Sequence, residues 1–127
     1  MKVLVTGTEG YLGSLLAPLL LQQGYEVVGV DTGFYKMGWL YNGTELTAKT
    51  LNKDIRHITI EDLQGVDAVV HMAELSNDPA GQLAPNVTYD INHKAHCIWQ
   101  IWQKQPEFVA LFICLLAAFT ELLRQML

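Results

Sequence analysis

The first thirteen residues constrain this chain more than any other stretch. Lys2 to Thr6, KVLVT, is a short β-branched run of the kind that forms a buried strand. It runs directly into TGTEGYLG, with glycines at positions 7, 10 and 13. Leu12, Leu15, Leu16, Leu19 and Leu20 then recur at helical spacing. A strand, a glycine turn and a helix therefore follow one another with no room for a longer loop. Pro18 removes one backbone hydrogen bond inside the helical run, so a bend or local strain is expected there. Gly24 closes the helix as a C-cap.

The glycine spacing has a specific physical use. Gly7 permits a tight turn with positive φ. Gly10 lets the backbone come close to a pyrophosphate, and Gly13 lets the helix lie tight on the sheet. The N–H groups near Tyr11 and Leu12 then point at phosphate oxygens, aided by the helix dipole. A second strand, YEVVGVD, ends at Asp31. An acid roughly 20 residues beyond the glycine turn is placed to accept hydrogen bonds from a ribose hydroxyl. The same carboxylate repels a 2′-phosphate, so the expected cofactor is NAD rather than NADP.

Residues 32–48 are rich in glycine and aromatics and read as a long loop. LNKDI reads as a weak third strand, EDLQG as a helical turn capped at Gly65, and DAVVHMA as a fourth strand. SNDPAGQLAP reads as loop, and NVTYDINHKAHC opens a helix capped near Asn86. This order is α/β. Right-handed crossovers make the sheet parallel, so the expected fold is the N-terminal part of a Rossmann-like doubly wound sheet, incomplete as it stands.

The 127 residues suffice for one small domain, and the net charge of −5 offers no basic face to nucleic acid. Cys97 and Cys114 are far apart with no CxxC spacing, which suits a reducing cytoplasm. MKVLVTGTEG lacks the pattern of a signal peptide. The longest apolar run, Phe108 to Phe119, falls short of the roughly 20 residues that span a bilayer. His93, His96 and Cys97 would share one helix face, but a fourth ligand and supporting groups are missing, so no metal site is expected.

With these residues in hand, residues 1 to about 95 resemble the extended short-chain dehydrogenase/reductase family, the NAD-dependent sugar epimerases and dehydratases. The glycine loop, Asp31, Asp54-Ile55, the strand end Val70-His71-Met72-Ala73-Glu74 and Asp90-Ile91-Asn92 fall in that family's order. The resemblance implies NAD as cofactor, a nucleotide-sugar substrate and homodimers in full-length relatives. It implies that Asp54 and Ile55 lie against the adenine. Met72, Ala73 and Glu74 would line the cofactor, with Glu74 standing where the family usually has a second alanine. Asn92 matches an asparagine near the active-site end of its helix. Ser76-Asn77-Asp78-Pro79 and the segments Gly33-Phe34-Tyr35 and Gly38-Trp39-Leu40 resemble stretches that face the sugar nucleotide in one subgroup.

The family's catalysis needs a serine or threonine and a tyrosine and lysine spaced YxxxK. Here no tyrosine follows Tyr89, no lysine lies four residues after it, and residues 90–127 contain one threonine and no serine. Residues 96–127 are atypical, and the twelve apolar residues from Phe108 to Phe119 cover every helical face. Read one nucleotide back, the codons permitted by Phe112 to Glu121 include VYMSSCSVYG, which resembles the family's fifth strand and serine motif. The same shift turns CIWQIWQKQPEF into a string such as LHLANLAKATGV, an amphipathic helix. The expectation is therefore a partial NAD-binding unit over 1–95 and a frameshifted tail over 96–127, with the shift near Lys94 to His96. Such a chain would be catalytically inactive and marginal in stability. The alternative is a non-catalytic interaction or membrane-associating protein that uses its apolar tail.

Overall fold

The computed structural model describes residues 1–36, 47–76, 78–95 and 110–113. Five parallel strands form one sheet: β1 (Lys2–Thr6), β2 (Glu26–Asp31), β3 (Lys49–Asn52), β4 (Ala68–His71) and β5 (Ala110–Ile113). Their spatial order is β3-β2-β1-β4-β5. The chain reverses direction across the sheet between β3 and β4, so a crevice is expected at the carboxyl ends of β1 and β4.

β1 lies at the centre, in register with β2 from Lys2–Glu26 to Thr6–Val30 and with β4 from Val3–Ala68 to Thr6–His71. Its side chains alternate between two apolar layers. Val3 and Val5 join Ala17 and Val27 on one face, with Leu20, Leu21 and Tyr25 against them. Leu4 joins Val30, Ile55, Ile58, Leu63, Val66, Val69 and Ala95 on the other. A strand covered on both faces needs apolar side chains at successive positions, which is why KVLVT does not alternate. Each fully buried valine or leucine contributes about 1.5–3 kcal/mol of transfer free energy.

α1 (Tyr11–Gln22) runs unbroken through Pro18, which is buried against the sheet with Gly13 and Ala17. The leucine spacing marks the helix but not its buried stripe. Leu12, Leu15 and Leu19 are exposed, because the small residues are the ones that let the helix approach the sheet. The helix closes with two bonds beyond its last turn, Gly24 N to Leu21 O and Tyr25 N to Leu20 O, around Gly24 at positive φ. This is the Schellman arrangement, and it satisfies carbonyls that would otherwise lack partners.

Several expectations shift. The third strand covers Lys49–Asn52, so Asp54 and Ile55 leave the sheet and start a 3₁₀ turn, Ile55–His57. EDLQG forms a 3₁₀ turn, Ile60–Leu63, with a capping box between Thr59 and Asp62. The segment expected to be loop after Ser76 contains a short helix, α2 (Asp78–Leu83). α3 (Pro85–Tyr89) is capped at Ala84, one residue before Pro85, rather than near Asn86, because proline at the first helical position has no N–H to satisfy. A π-helical turn, Asp90–Lys94, continues it. The sheet also resumes beyond residue 95. Ala110–Ile113 pairs in parallel with β4, from Ala68–Ala110 to His71–Ile113.

Candidate functional site

The expected site residues gather at the carboxyl ends of β1, β2 and β4. Gly7 leaves β1 at φ 74° and donates its N–H to Val30 O at 2.8 Å. A Cβ on Gly7 would lie 3.1 Å from Ala73 N and from Met72 C and O, so the turn rests directly on the backbone after β4. Gly13 is tighter: its Cβ would stand 2.0 Å from Gly7 O. Gly10 is the N-cap of α1, and no side chain caps the helix or places an acid in its first turn. Tyr11 and Leu12 begin the helix with exposed side chains, so their contribution to a bound anion is through backbone N–H groups.

Asp31 ties two loops together. Its Oδ2 accepts from Glu9 N at 2.9 Å and its Oδ1 from Gly33 N at 2.9 Å. The carboxylate is therefore fixed beside the glycine loop before any ligand arrives.

At the end of β4 the organising group is Thr6, which residue spacing alone did not single out. Its hydroxyl oxygen accepts from Met72 N at 3.0 Å and Ala73 N at 3.1 Å. With both lone pairs used, its one proton goes to His71 Nδ1 at 2.8 Å. The neutral imidazole thus carries its proton on Nε2. The available signal was the position of two polar residues at the same end of two apolar strands.

Glu74 follows Ala73 and is half-buried. Its Oε1 is enclosed and has no hydrogen-bond partner among the described residues. Burial pushes its carboxyl up to about 7. Asn92 comes from the π-helical turn, and its amide is already engaged. Its Oδ1 accepts from Leu75 N at 2.8 Å and its Nδ2 donates to Leu75 O at 2.9 Å. Asn92 thus holds the backbone after β4 instead of presenting a free side chain. Ser76 is exposed beside it, and Asn77 lies outside the described residues.

The pair expected against an adenine is engaged within the fold. Ile55 is 5% exposed and packs in the core with Leu4 and Val30. The Asp54 carboxylate caps the 3₁₀ turn through Arg56 N and is gripped by the Arg56 side chain, with Nη2 to Oδ2 at 2.6 Å. That hydrogen-bonded guanidinium holds the Asp54 carboxyl below its ordinary value. Of the three residues considered for a metal, His93 stacks on Tyr89 with ring centroids 4.7 Å apart. His96 and Cys97 lie outside the described residues, as do Gly38-Trp39-Leu40 and most of the apolar tail. Among the described residues no helix is long and apolar enough to cross a membrane.

This arrangement has a match in sequence. The model of the NAD dependent epimerase/dehydratase family matches residues 3–98, from the first strand to just past the π-helical turn. The chain belongs to that family. It is 35% identical over 78 residues to a UDP-glucose 4-epimerase of Corynebacterium glutamicum, covering 60% of this chain and 23% of that protein. Among solved structures it resembles UDP-glucose-4-epimerase from Stenotrophomonas maltophila with bound NAD and formylated UDP-arabinopyranose. The TM-score is 0.70 at 26% identity, over 89% of this chain and 36% of that one. It also resembles TunA, an NAD dependent NDP-hexosamine 5,6-dehydratase of tunicamycin biosynthesis, with a TM-score of 0.59 at 29% identity. The match covers 70% of this chain and 28% of TunA. The chain thus spans roughly a third or less of the relatives it matches.

Proposed function

We propose that this family member binds NAD across the carboxyl ends of β1, β2 and β4, as the cofactor-holding part of a nucleotide-sugar epimerase or dehydratase. The observation that carries the reading is the uncapped amino end of α1, set between the tight Gly7–Gly13 contact and the fixed Asp31 carboxylate. The free N–H groups and the helix dipole suit a pyrophosphate. Asp31 would receive the adenosine ribose. Met72, Ala73 and Glu74 would border the remainder of the cofactor, with Thr6 and Asn92 fixing the backbone that carries them. The NAD-bound and nucleotide-sugar-bound structures of relatives support the cofactor and the substrate class.

When bound, NAD supplies a hydride acceptor for a sugar carbon and later returns the hydride. The chain's own residues bind and orient; none of them matches the family's serine or its YxxxK pair. We therefore read the chain as catalytically silent, and residues 96–127 as the counterpart of the fifth strand and serine motif in a shifted frame. The family match, which ends at residue 98, agrees with a shift near Lys94 to His96. DNA sequence across the codons for His93 to Cys97 checks this, and an intact frame without the serine motif would overturn it.

Calorimetric titration of the 127-residue chain with NAD tests the binding proposal. Saturable binding is expected, and Asp31→Ala should weaken it by about tenfold or more, the loss of hydrogen bonds to a charged acceptor. Absence of heat and of thermal shift at millimolar NAD would reject it.

A further inference from the structure

A second carboxylate and one ammonium stand beside Asp31, and the glycine-loop function does not account for them. Glu9 donates its backbone N–H to Asp31, while its side chain, 17% exposed, extends to Lys36. Lys36 Nζ lies 2.8 Å from Glu9 Oε1. Lys36 is delivered there by the turn after β2, in which its own N–H donates to Gly33 O at 3.2 Å and Gly33 N–H donates to Asp31. Backbone and side-chain bonds thus close a ring through Glu9, Asp31, Gly33 and Lys36. The hydrogen bond to Glu9 holds the Lys36 proton more firmly than usual.

An exposed ion pair of this kind adds little to stability, so fastening the loop is a weak reason for it. Its charges matter more for what can lie beside Asp31. A 2′-phosphate brings about two negative charges and needs a free cation as well as relief from Asp31. Among the described residues Lys36 is the ammonium at this spot, and Glu9 occupies it.

We propose that the Glu9–Lys36 pair is a second specificity device, which discriminates against dinucleotides carrying a 2′-phosphate by engaging Lys36 and adding a carboxylate next to Asp31. This rests on reading Asp31 as the ribose-binding acid. Removing the Glu9 charge releases Lys36 toward a phosphate. Removing Lys36 leaves the Glu9 and Asp31 carboxylates side by side without that ammonium.

The test is the ratio of NADP to NAD dissociation constants for the parent chain, Glu9→Gln and Lys36→Met, measured by calorimetry or by displacement of a fluorescent dinucleotide. Glu9→Gln should lower the ratio by about tenfold, and Lys36→Met should raise it severalfold, as expected for one charge at close range. A merely structural pair would change both constants alike and leave the ratio fixed. NAD binding with a ratio that moves less than twofold in both variants overturns the proposal while the NAD site stands. A parent chain that binds neither dinucleotide overturns both.

Discussion

At the end of β2 the Asp31 carboxylate accepts two backbone N–H groups, whereas at the end of β4 the Glu74 carboxyl encloses an oxygen with no partner among the described residues. Both acids lie at or just beyond the carboxyl ends of parallel strands in one sheet. The first is built into the fold and is ready for a ligand at no further cost in ordering. The second is half-buried with an enclosed Oε1 that has no partner among the described residues, a cost on the order of 1 kcal/mol given the solvent that reaches the rest of the group. The end of β2 is thus preorganised by its own backbone, and the segment after β4 carries an unfavourable group where the family usually has a small apolar one.

Three substitutions would break or sharpen this contrast. The largest effect should come from Gly13→Ala, whose methyl would stand 2.0 Å from Gly7 O and 2.7 Å from Thr8 Cα. Backbone must move to admit it, and a stability loss of about 3 kcal/mol is expected in urea denaturation. A loss under about 1 kcal/mol would mean that the glycine side is not as rigid as described. Thr6→Val should cost about 2 kcal/mol, because Met72 N, Ala73 N and His71 Nδ1 all lose their shared hydroxyl. A near-neutral result would remove Thr6 as the organiser of the β4 side.

The smallest effect should come from Glu74→Gln, read as a pH profile. The folded chain holds the Glu74 proton up to about 7, above the ordinary 4.5 of an unfolded glutamate. Its contribution is therefore fully present below about pH 4.5 and is lost as pH rises through about 7. The variant should flatten that part of the curve and be more stable than the parent at pH 8, by on the order of 1 kcal/mol given the solvent that reaches its exposed half. Identical profiles from pH 4.5 to 8 would show that the carboxyl is solvated after all.

The contrast also explains what the sequence made legible. β1, the glycine turn, α1 and β2 could be traced because their signals are local: a β-branched run, glycines at fixed spacing, helical periodicity and a closing glycine. The β4 side depends on groups far apart in the chain. Thr6 meets His71 and Asn92 meets Leu75 only once strand register and helix phase are fixed. Ile55 could be matched to a family position, but its burial under β1 and β2 follows from the 3₁₀ turn that begins at it. α2 escaped notice because its five polar or small residues and a single leucine carry no apolar period.

The π-helical turn at Asp90–Lys94 has a consequence for how this region tolerates change. One extra residue in a helical repeat rotates everything downstream by roughly 100°. α3 buries none of its residues, yet a few positions later Ile91 packs on the core, Asn92 holds Leu75, and Ala95 is wholly enclosed. The wide turn works as a phase shifter between a solvated helix and a docked one. Along this stretch the number of residues is constrained as tightly as their identity, so a one-residue deletion between Tyr89 and Ala95 should do more damage than most substitutions within it.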